Sequence, residues 1–331
     1  MTDKIVVAFA TDHKFRYFTG VALFTLIEHA SEKTNYEILI LADSLSEADS
    51  HIFFRLVEEK KNFSLRIIDM KEKITKINIK KLQLCGSYAS TAILHRLFLH
   101  ELLPEYDKVL YLDSDIIIQS DIKELYCTDL KKYPIGAVRD PLAKIFSFSV
   151  YDQRNFLYLK KTLKIKNTAN YFNSGVLLLD LIKLRHADFS SQVRCDIELA
   201  DEYKYPDQDI LNRIFYNNVH YLDKKWNFIT RTKRNPAAQK IIHFASVHPW
   251  LSIMKPSASH WWRAAEKTFF IEDMKKELAL SPDKIRYWQH TEKAYYDTLE
   301  STCWRMTAWL RSLFNIFKWV KFLFTETLKR G

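Results

Sequence analysis

Short apolar runs alternate with amphipathic segments along the first part of the chain. Ile5–Ala10 is a short β-branched run, which predicts a buried first strand, and Tyr36–Ala42 and Ser64–Met70 predict a second and a third strand. Between them, Phe15–Ala30 and Ser46–Lys60 carry apolar residues at helical spacing, and the second begins with a serine that suits a helix N-cap. Strands that alternate with helices in this way predict a parallel, Rossmann-like sheet.

The middle of the chain continues this pattern. Ala89–Glu101 predicts one continuous amphipathic helix, which Pro104 would end. Lys108–Leu112 predicts another buried strand. Further elements are predicted as strands at Pro134–Val138, Tyr171–Asp180, Val219–Leu222 and Lys240–Phe244, and as a helix at Pro206–Tyr216. Near residues 260–270 the pattern changes to charged, aromatic-rich helix, which predicts a main domain over 1–265 and a helical segment over 266–331.

Composition excludes some classes of protein. The 331 residues are 47% hydrophobic and 27% charged, an ordinary globular balance that supports a sizeable core. Only five glycines are present and none forms a glycine-rich phosphate loop, so any bound nucleotide must be held differently. The cysteines are widely spaced, which predicts reduced thiols. The first apolar run is too short for a signal peptide, and no stretch is long enough to span a membrane, so we expect a cytoplasmic location.

The first chemical candidate is Asp113-Ser114-Asp115, which directly follows a predicted buried strand. Ligands of open α/β sheets bind beyond the carboxyl ends of strands, and Asp12 follows another such end. Hard cations such as Mg²⁺ and Mn²⁺ prefer carboxylate oxygens, and such a cation can offset the charge of a departing diphosphate. Two acids in a solvated turn would give the same short pattern, so it is weak evidence alone.

Several segments together indicate a family. They are Phe9-Ala10-Thr11-Asp12, the helix residue Arg96, Asp107–Leu125 (DKVLYLDSDIIIQSDIKEL), Phe172-Asn173-Ser174-Gly175, Asp207-Gln208-Asp209, Ile241-Ile242-His243-Phe244 and Pro249-Trp250. Because these segments occur in this order, the chain resembles glycosyltransferase family 8. This family consists of retaining enzymes and includes bacterial lipopolysaccharide and lipooligosaccharide galactosyl- and glucosyltransferases. The resemblance spans roughly residues 4–263. It implies an α/β, GT-A-like, Rossmann-type nucleotide-sugar-binding domain with a mixed central sheet, followed by a C-terminal helical extension.

The resemblance implies a metal site at Asp113, Asp115 and His243, with Mn²⁺ as the cofactor and Mg²⁺ as the alternative. It implies a set of donor-binding residues: Ala10, Thr11, Asp12, Lys14, Arg96, Asp113, Ser114, Asp115, Asn173, Asp207, Gln208 and His248. His248 takes the place of the family's diphosphate-binding lysine, and Lys255 is the other candidate for that role.

The resemblance also implies catalytic roles for Arg96, Asp207 and Gln208, and an acceptor-side role for Asp140. Each residue has a structural alternative. Arg96 alone would be a surface arginine, Asp207 an acid that favours a helix start, and His243 a core residue. The expected reaction retains the anomeric configuration through front-side attack. The alternative is double displacement, for which the neutral amide of Gln208 is a poor nucleophile.

The predicted reaction is transfer of galactose or glucose from a UDP-sugar to a lipopolysaccharide or lipooligosaccharide core. Two other functions stay open at this point. A metal-dependent phosphoryl or nucleotidyl transferase would also use paired acids. A non-catalytic protein that binds sugar nucleotides or glycans would keep the site without turnover.

The C-terminal segment carries a different signal. Residues 301–331 hold six Lys/Arg against one acid, part of a formal net charge of +10 for the whole chain. Residues 304–330 place bulky apolar residues on one face of a helix and basic residues on the other. Such a helix binds anionic membrane surfaces, although docking on its own domain or on a second copy gives the same pattern. Together with the resemblance to the family's bacterial members, this pattern leads us to expect a peripheral protein on the inner face of the bacterial inner membrane, acting on a lipid-linked oligosaccharide, and no nucleic-acid partner.

Overall fold

The computed structural model describes residues 4–43, 45–71, 92–141, 143, 150–199, 203–230, 238–245, 248–250 and 258–278. The strands within these ranges are β1 (Lys4–Asp12), β2 (Asn35–Asp43), β3 (Phe63–Asp69), β4 (Lys108–Leu112), β5 (Ile116–Ile118), β6 (Ile135–Arg139), β7 (Phe172–Asp180), β8 (His220–Tyr221), β9 (Phe228–Ile229) and β10 (Ile241–His243). The helices are α1 (Arg16–His29), α2 (Glu47–Val57), α3 (Ala92–His95), α4 (Leu99–Leu102), α5 (Lys123–Tyr126), α6 (Val150–Lys161), α7 (Leu181–His186), α8 (Phe189–Ile197), α9 (Pro206–Ile214), α10 (Ala258–Ala265) and α11 (Ile271–Glu277).

The strands form a mixed central sheet and a small second sheet. The central sheet has the strand order β3-β2-β1-β4-β7-β6-β8. The strands β3, β2, β1 and β4 run parallel to one another, as the sequence predicts, whereas β7 is antiparallel to both β4 and β6. The second sheet has the order β5-β10-β9. The predicted late strand around His243 therefore exists, and it lies in this second sheet.

The inner strands β1, β2, β4 and β7 are buried on both faces, which explains why they are continuous apolar runs, whereas the edge strand β3 is partly exposed. Along β1, Val7 packs into the apolar cluster beneath α1 and α2. Its neighbour Ala8 packs into the opposite cluster with α4, α7, α8 and α9. Successive side chains of a strand point to opposite faces, so one run of sequence supplies both cores.

The start of α2 confirms the N-cap prediction. The Ser46 hydroxyl accepts a hydrogen bond from the Asp49 backbone N–H at 3.1 Å. The Asp49 carboxylate in turn accepts from the Ser46 N–H at 3.1 Å. This reciprocal pair satisfies two N–H groups that the first helical turn would otherwise leave without partners.

The prediction of one continuous helix over Ala89–Glu101 is wrong. Within the described residues, two short helices, α3 and α4, are separated by a turn at 96–98. The amides of Leu97 and Phe98 bond three residues back, to Leu94 and His95. An amphipathic helix has a solvent face, but the residues across this turn are almost all buried. The apolar spacing therefore reflects burial on all sides rather than one helical stripe.

Residues 258–278 pack onto α1 through a third apolar cluster. Trp261, Phe270 and Met274 belong to this cluster together with Phe18 and Val21 of α1. The domain boundary after residue 265 stays a prediction, and the predicted helix at 304–330 lies outside the described residues. In the part of the chain that the structure describes, no helix is both long and apolar enough to cross a membrane.

Candidate active site

The ends of several elements meet at one cavity of about 800 Å³, a size typical of ligand sites. The residues come from the ends of β1, β4 and β10 and from the starts of β7 and α9. The structure brings every described site residue predicted from the sequence to this cavity: Ala10, Thr11, Asp12, Lys14, Arg96, Asp113, Ser114, Asp115, Asp140, Asn173, Asp207, Gln208, His243 and His248. Lys255 lies outside the described residues.

Asp113, Asp115 and His243 form a cluster that could hold a metal ion. One ligand atom from each lies within 4.8 Å of the others. The Nε2 atom of His243 is 3.1 Å from an Asp115 oxygen and 3.7 Å from an Asp113 oxygen. Burial opposes ionisation of Asp115, but the neighbouring His243 outweighs it and holds the pKa of this carboxyl well below its usual range. The cluster therefore offers an ionised carboxylate and an imidazole to a cation.

The metal cluster can form only because residue 175, on β7, is a glycine. A Cβ at this position would lie 2.1 Å from Cε1 of His243 and 2.7 Å from an Asp113 oxygen. These distances are far inside van der Waals contact, so any side chain would displace both groups. The Asp113 N–H donates a hydrogen bond to the Gly175 carbonyl at 2.9 Å, and this bond fixes the backbone next to the two ligands. Glycine is required here because of close approach.

Asn227, which our sequence analysis missed, orients His243. Its Oδ1 lies 2.8 Å from Nδ1 of His243, and its Nδ2 donates to Asn173 at 2.8 Å. Because the amide nitrogen donates to Asn173, the amide oxygen must face the histidine and accept a hydrogen bond from its Nδ1–H. This arrangement leaves Nε2 of His243, which faces the two carboxylates, as the nitrogen that could bind a cation in place of a proton.

Arg96 is a buried ion-pair centre, so its interpretation as a surface arginine is wrong. Its guanidinium binds both oxygens of Asp113, at 2.6 and 3.3 Å, and lies 3.2 Å from Asp207. It also donates to the Ser174 carbonyl at 2.8 Å. Burial alone would lower the pKa of Arg96, but the charges of Asp113 and Asp207 outweigh it and raise that pKa.

Gln208 is held by hydrogen bonds at both ends of its amide. Its oxygen accepts from Asn173 Nδ2 at 2.9 Å and from the Ser174 backbone N–H at 3.1 Å. Its nitrogen donates to the Tyr171 hydroxyl at 3.0 Å and to Asp140 at 3.3 Å. A chain of amides therefore links the histidine of the metal cluster, through Asn227 and Asn173, to Gln208.

Ser114 and Asp12 hold the local backbone in place. The Ser114 hydroxyl donates to the Ala10 carbonyl at 3.0 Å and lies 2.7 Å from the Thr19 hydroxyl. The Asp12 carboxylate accepts the Phe15 N–H at 2.9 Å, just before α1. These contacts fix the loop between β4 and β5 against the end of β1, next to the carboxylates.

Asp209 supports Gln208 indirectly, through the hydroxyl of Tyr171. Its carboxylate is fully buried and accepts hydrogen bonds from the hydroxyls of Tyr158 and Tyr171 and from the Tyr205 N–H. An ionised carboxylate only accepts, so Tyr171 must donate to Asp209 and accept from Gln208. Burial raises the pKa of Asp209 from 3.8 to about 6, although these hydrogen bonds act in the opposite direction.

This raised pKa predicts a specific pH dependence of stability. Between about pH 4 and pH 6 the folded protein keeps the Asp209 proton that the unfolded chain releases, so its stabilising contribution falls as the pH rises. We expect the difference in unfolding free energy, wild type minus Asp209→Asn, to fall by roughly 2–3 kcal/mol from about pH 4 to about pH 7. Urea unfolding of both proteins measures it, and parallel pH curves would contradict the assignment.

Curated proteins resemble the chain in sequence. The sequence profile of glycosyl transferase family 8 matches residues 6–254. Lipopolysaccharide 1,2-glucosyltransferase of Escherichia coli strain K12 is 28% identical over 238 residues, covering 70% of this chain and 64% of that protein. Glycosyltransferase GlyF of Streptococcus pneumoniae is 33% identical over 224 residues, covering 63% of this chain and 49% of that protein. The chain thus spans less than two thirds of the length of either relative.

Solved structures share the fold. The galactosyltransferase LgtC, crystallised with donor and acceptor sugar analogs, aligns with a TM-score of 0.65 at 22% identity over 83% of this chain and 100% of LgtC. The bifunctional glycosyltransferase WbbM gives a TM-score of 0.64 at 22% identity over 82% of this chain and 51% of WbbM. These likenesses show a GT-A fold. Because the family profile matches most of the sequence, this chain belongs to glycosyl transferase family 8.

Proposed function

We propose that this glycosyltransferase transfers galactose or glucose from a UDP-sugar, with retention of configuration, to a lipopolysaccharide or lipooligosaccharide core. The observation that carries the proposal is the convergence of Asp113, Asp115 and His243 with Arg96 and Gln208 in one cavity. The names of the relatives favour a hexose, since one is a lipopolysaccharide glucosyltransferase and another a galactosyltransferase.

The metal cluster suits Mn²⁺, with Mg²⁺ as the alternative. Asp113 and Asp115 supply hard oxygens, and His243 supplies an imidazole nitrogen whose second nitrogen is already held by Asn227. A cation bound there would offset the negative charge that develops on departing UDP. The sequence has no glycine-rich loop to bind phosphates. The metal cluster and the positively charged side chains near it would therefore bind the donor phosphates instead.

The remaining residues of the cavity divide between the two halves of the donor. We assign the nucleoside to the end of β1, where Ala10, Thr11, Asp12 and Lys14 line the cavity. The sugar is assigned to Asn173, Asp207 and Gln208, whose amide and carboxylate groups can both orient hydroxyls and hold one another in place. Arg96, which lies next to Asp113 and Asp207, would stabilise the negative charge of the donor.

The hydrogen bonds around Gln208 favour front-side attack over double displacement. A covalent intermediate needs a carboxylate nucleophile with a free oxygen. The Gln208 oxygen is a neutral amide that already accepts two hydrogen bonds. Asp209 is fully buried and accepts three, so it offers no free oxygen either. The acceptor hydroxyl would therefore attack from the side that UDP leaves, beside Asp140, which contacts Gln208.

We further propose that a basic helix at 304–330 attaches the protein to the anionic inner face of the membrane, where a lipid-linked acceptor is presented. The support is the sequence pattern, with apolar residues on one face and basic residues on the other. Binding of the full chain to vesicles with and without an anionic lipid tests this part separately from the chemistry. Equal binding to both vesicles, or to neither, would contradict it.

Asn227→Ala is expected to weaken Mn²⁺ binding by about tenfold to a hundredfold, the usual effect of losing a partner that orients a ligand. The reason is that His243 loses the acceptor that fixes its tautomer and ring position. Calorimetric titration with Mn²⁺ measures the affinity. Asn218→Ala, an exposed asparagine after α9, is the matched control and should leave the affinity unchanged. Equal Mn²⁺ affinity in both variants would contradict the positioning role.

Product analysis tests the reaction itself. The protein is incubated with UDP-galactose or UDP-glucose, Mn²⁺ and a truncated lipooligosaccharide acceptor, and the new glycosidic bond is examined by NMR. The proposal predicts one hexose added with the anomeric configuration of the donor. A product of opposite configuration would overturn the retaining mechanism, and transfer of a phosphoryl group would overturn the proposed reaction class.

A further inference from the structure

The helix α11 borders the same cavity as the metal cluster. Met274 and Glu277 of this helix, and Leu278 directly after it, line the cavity together with Lys14 and Tyr17. The family profile matches residues 6–254, so α11 lies beyond the part of the chain that it covers. The family resemblance therefore assigns no role to this helix, although the helix supplies part of the cavity.

A buried arginine holds the end of α11. The Arg16 guanidinium donates to both carboxylate oxygens of Glu277, to one of them at 3.2 Å. A two-point pair of this kind sets orientation as well as distance. Arg16 is itself held, because its Nε lies 2.7 Å from an Asp49 oxygen and its guanidinium donates to the His13 carbonyl. The Arg16 side chain is 7% exposed and that of Glu277 is 45% exposed. The arginine is thus the fixed partner, and the helix end is what it holds.

Ring and apolar contacts join the same two elements. The Tyr17 ring stacks on Phe270, just before α11, with centroids 5.4 Å apart and an angle of 27° between the planes. The Arg16 guanidinium lies over the other partner, 4.2 Å from the centroid of the Tyr17 ring. Met274 shares an apolar cluster with Phe18. These contacts place α11 against the start of α1, which closely follows the end of β1 to which we assign the nucleoside.

We propose that α11 forms a wall of the nucleoside end of the donor cavity, and that Glu277 is the residue that positions this wall. This proposal rests on the proposed function, which places the nucleoside at the end of β1. Met274 and Leu278 give the wall apolar surface, against which the carbons of a ribose and a base can be buried. Glu277 acts through the helix, because Arg16 binds both of its carboxylate oxygens.

The test is UDP binding by the full chain in the presence of Mn²⁺, measured by calorimetric titration. We expect Glu277→Ala to weaken UDP binding about three- to tenfold, the effect of losing one well-formed ion pair. Glu277→Lys should weaken it further, because a second cation beside Arg16 repels the helix end. Glu272→Lys makes the same change of charge at an exposed position of α11 and should leave the affinity unchanged.

Two further readouts separate a displaced wall from a general loss of structure. The affinity for Mn²⁺ without UDP should stay near the wild-type value in the Glu277 variants, because Glu277 binds Arg16 and not a metal ligand. In turnover of the UDP-sugar, KM should rise while kcat at saturating donor stays near wild type, as expected when ground state and transition state lose the same contact. The loss should be equally large for UDP and for the UDP-sugar, because the wall borders the nucleoside.

Glu277→Lys also separates positioning from a direct effect of charge. UDP is an anion, so a lysine that acted only through its charge would tighten UDP binding. Unchanged or tighter UDP binding by this variant, or a loss seen with the UDP-sugar but not with UDP, would overturn the proposal and leave the proposed function intact. Absence of UDP binding by the wild type would overturn both. Circular dichroism of each variant shows whether it is folded.

Discussion

Replacing Asp115 by alanine is expected to lower turnover of the UDP-sugar by at least about a thousandfold, since the loss of several kcal/mol of charge stabilisation corresponds to this factor. Asp115 is the member of the cluster whose two oxygens face His243 and His248, and its pKa is held low. Removal of its carboxylate takes away a ligand and leaves two imidazoles facing a gap. Metal binding and steady-state turnover should therefore fail together.

The Asp115→Ala effect needs controls for folding and for surface charge. Asp115→Asn keeps the shape of the side chain and one oxygen, so it should fold while binding Mn²⁺ much more weakly. Asp273→Ala removes an exposed acid on α11 and should leave turnover unchanged. Near-normal turnover of a folded Asp115→Ala protein would show that the cluster is not the metal site.

Gly175→Ala is expected to have the second largest effect. The added methyl carbon would lie 2.1 Å from His243 and 2.7 Å from Asp113, so the backbone or both ligands must move. Overpacking of this kind costs about 1–3 kcal/mol of unfolding free energy. A displacement of about 1 Å in an active site can lower the rate about a hundredfold, and here two metal ligands shift at once. Urea unfolding and Mn²⁺ titration measure the two effects.

Gly136→Ala is the matched control for Gly175→Ala. Gly136 lies on β6, the neighbour of β7, and an added Cβ there would lie 2.7 Å from the end of the Leu130 side chain. This variant should also lose stability, but its Mn²⁺ affinity should stay normal because no ligand is nearby. If both variants keep normal affinity, the close approach at Gly175 does not control the metal cluster.

Much of the site could be predicted from sequence because the ends of strands meet at one edge of the sheet. Asp12 ends β1 and Asp113 directly follows β4, and because these strands are parallel neighbours the two residues lie at the same edge of the sheet. His243 was found only through the family resemblance. Nothing in its local pattern distinguishes it from a core histidine, since it is 2% exposed and lies in a short buried strand.

The positioning residues could not be predicted. Asn227 lies in a loop with no motif of its own, and its role depends on β9 and β10 pairing beside it. Tyr171 has the spacing of a strand residue, yet its hydroxyl connects Gln208 to Asp209. The break between α3 and α4 was also missed, because apolar spacing cannot separate a helix with one buried face from a segment buried on all sides.

The most direct test of the account is release of UDP from a panel of UDP-sugars in the presence of Mn²⁺, with and without a chelator. We expect UDP release from UDP-galactose or UDP-glucose that stops when the chelator removes the metal and resumes when Mn²⁺ is restored. Failure of the protein to bind UDP at all, with or without Mn²⁺, would contradict the assignment of the cavity as a donor site.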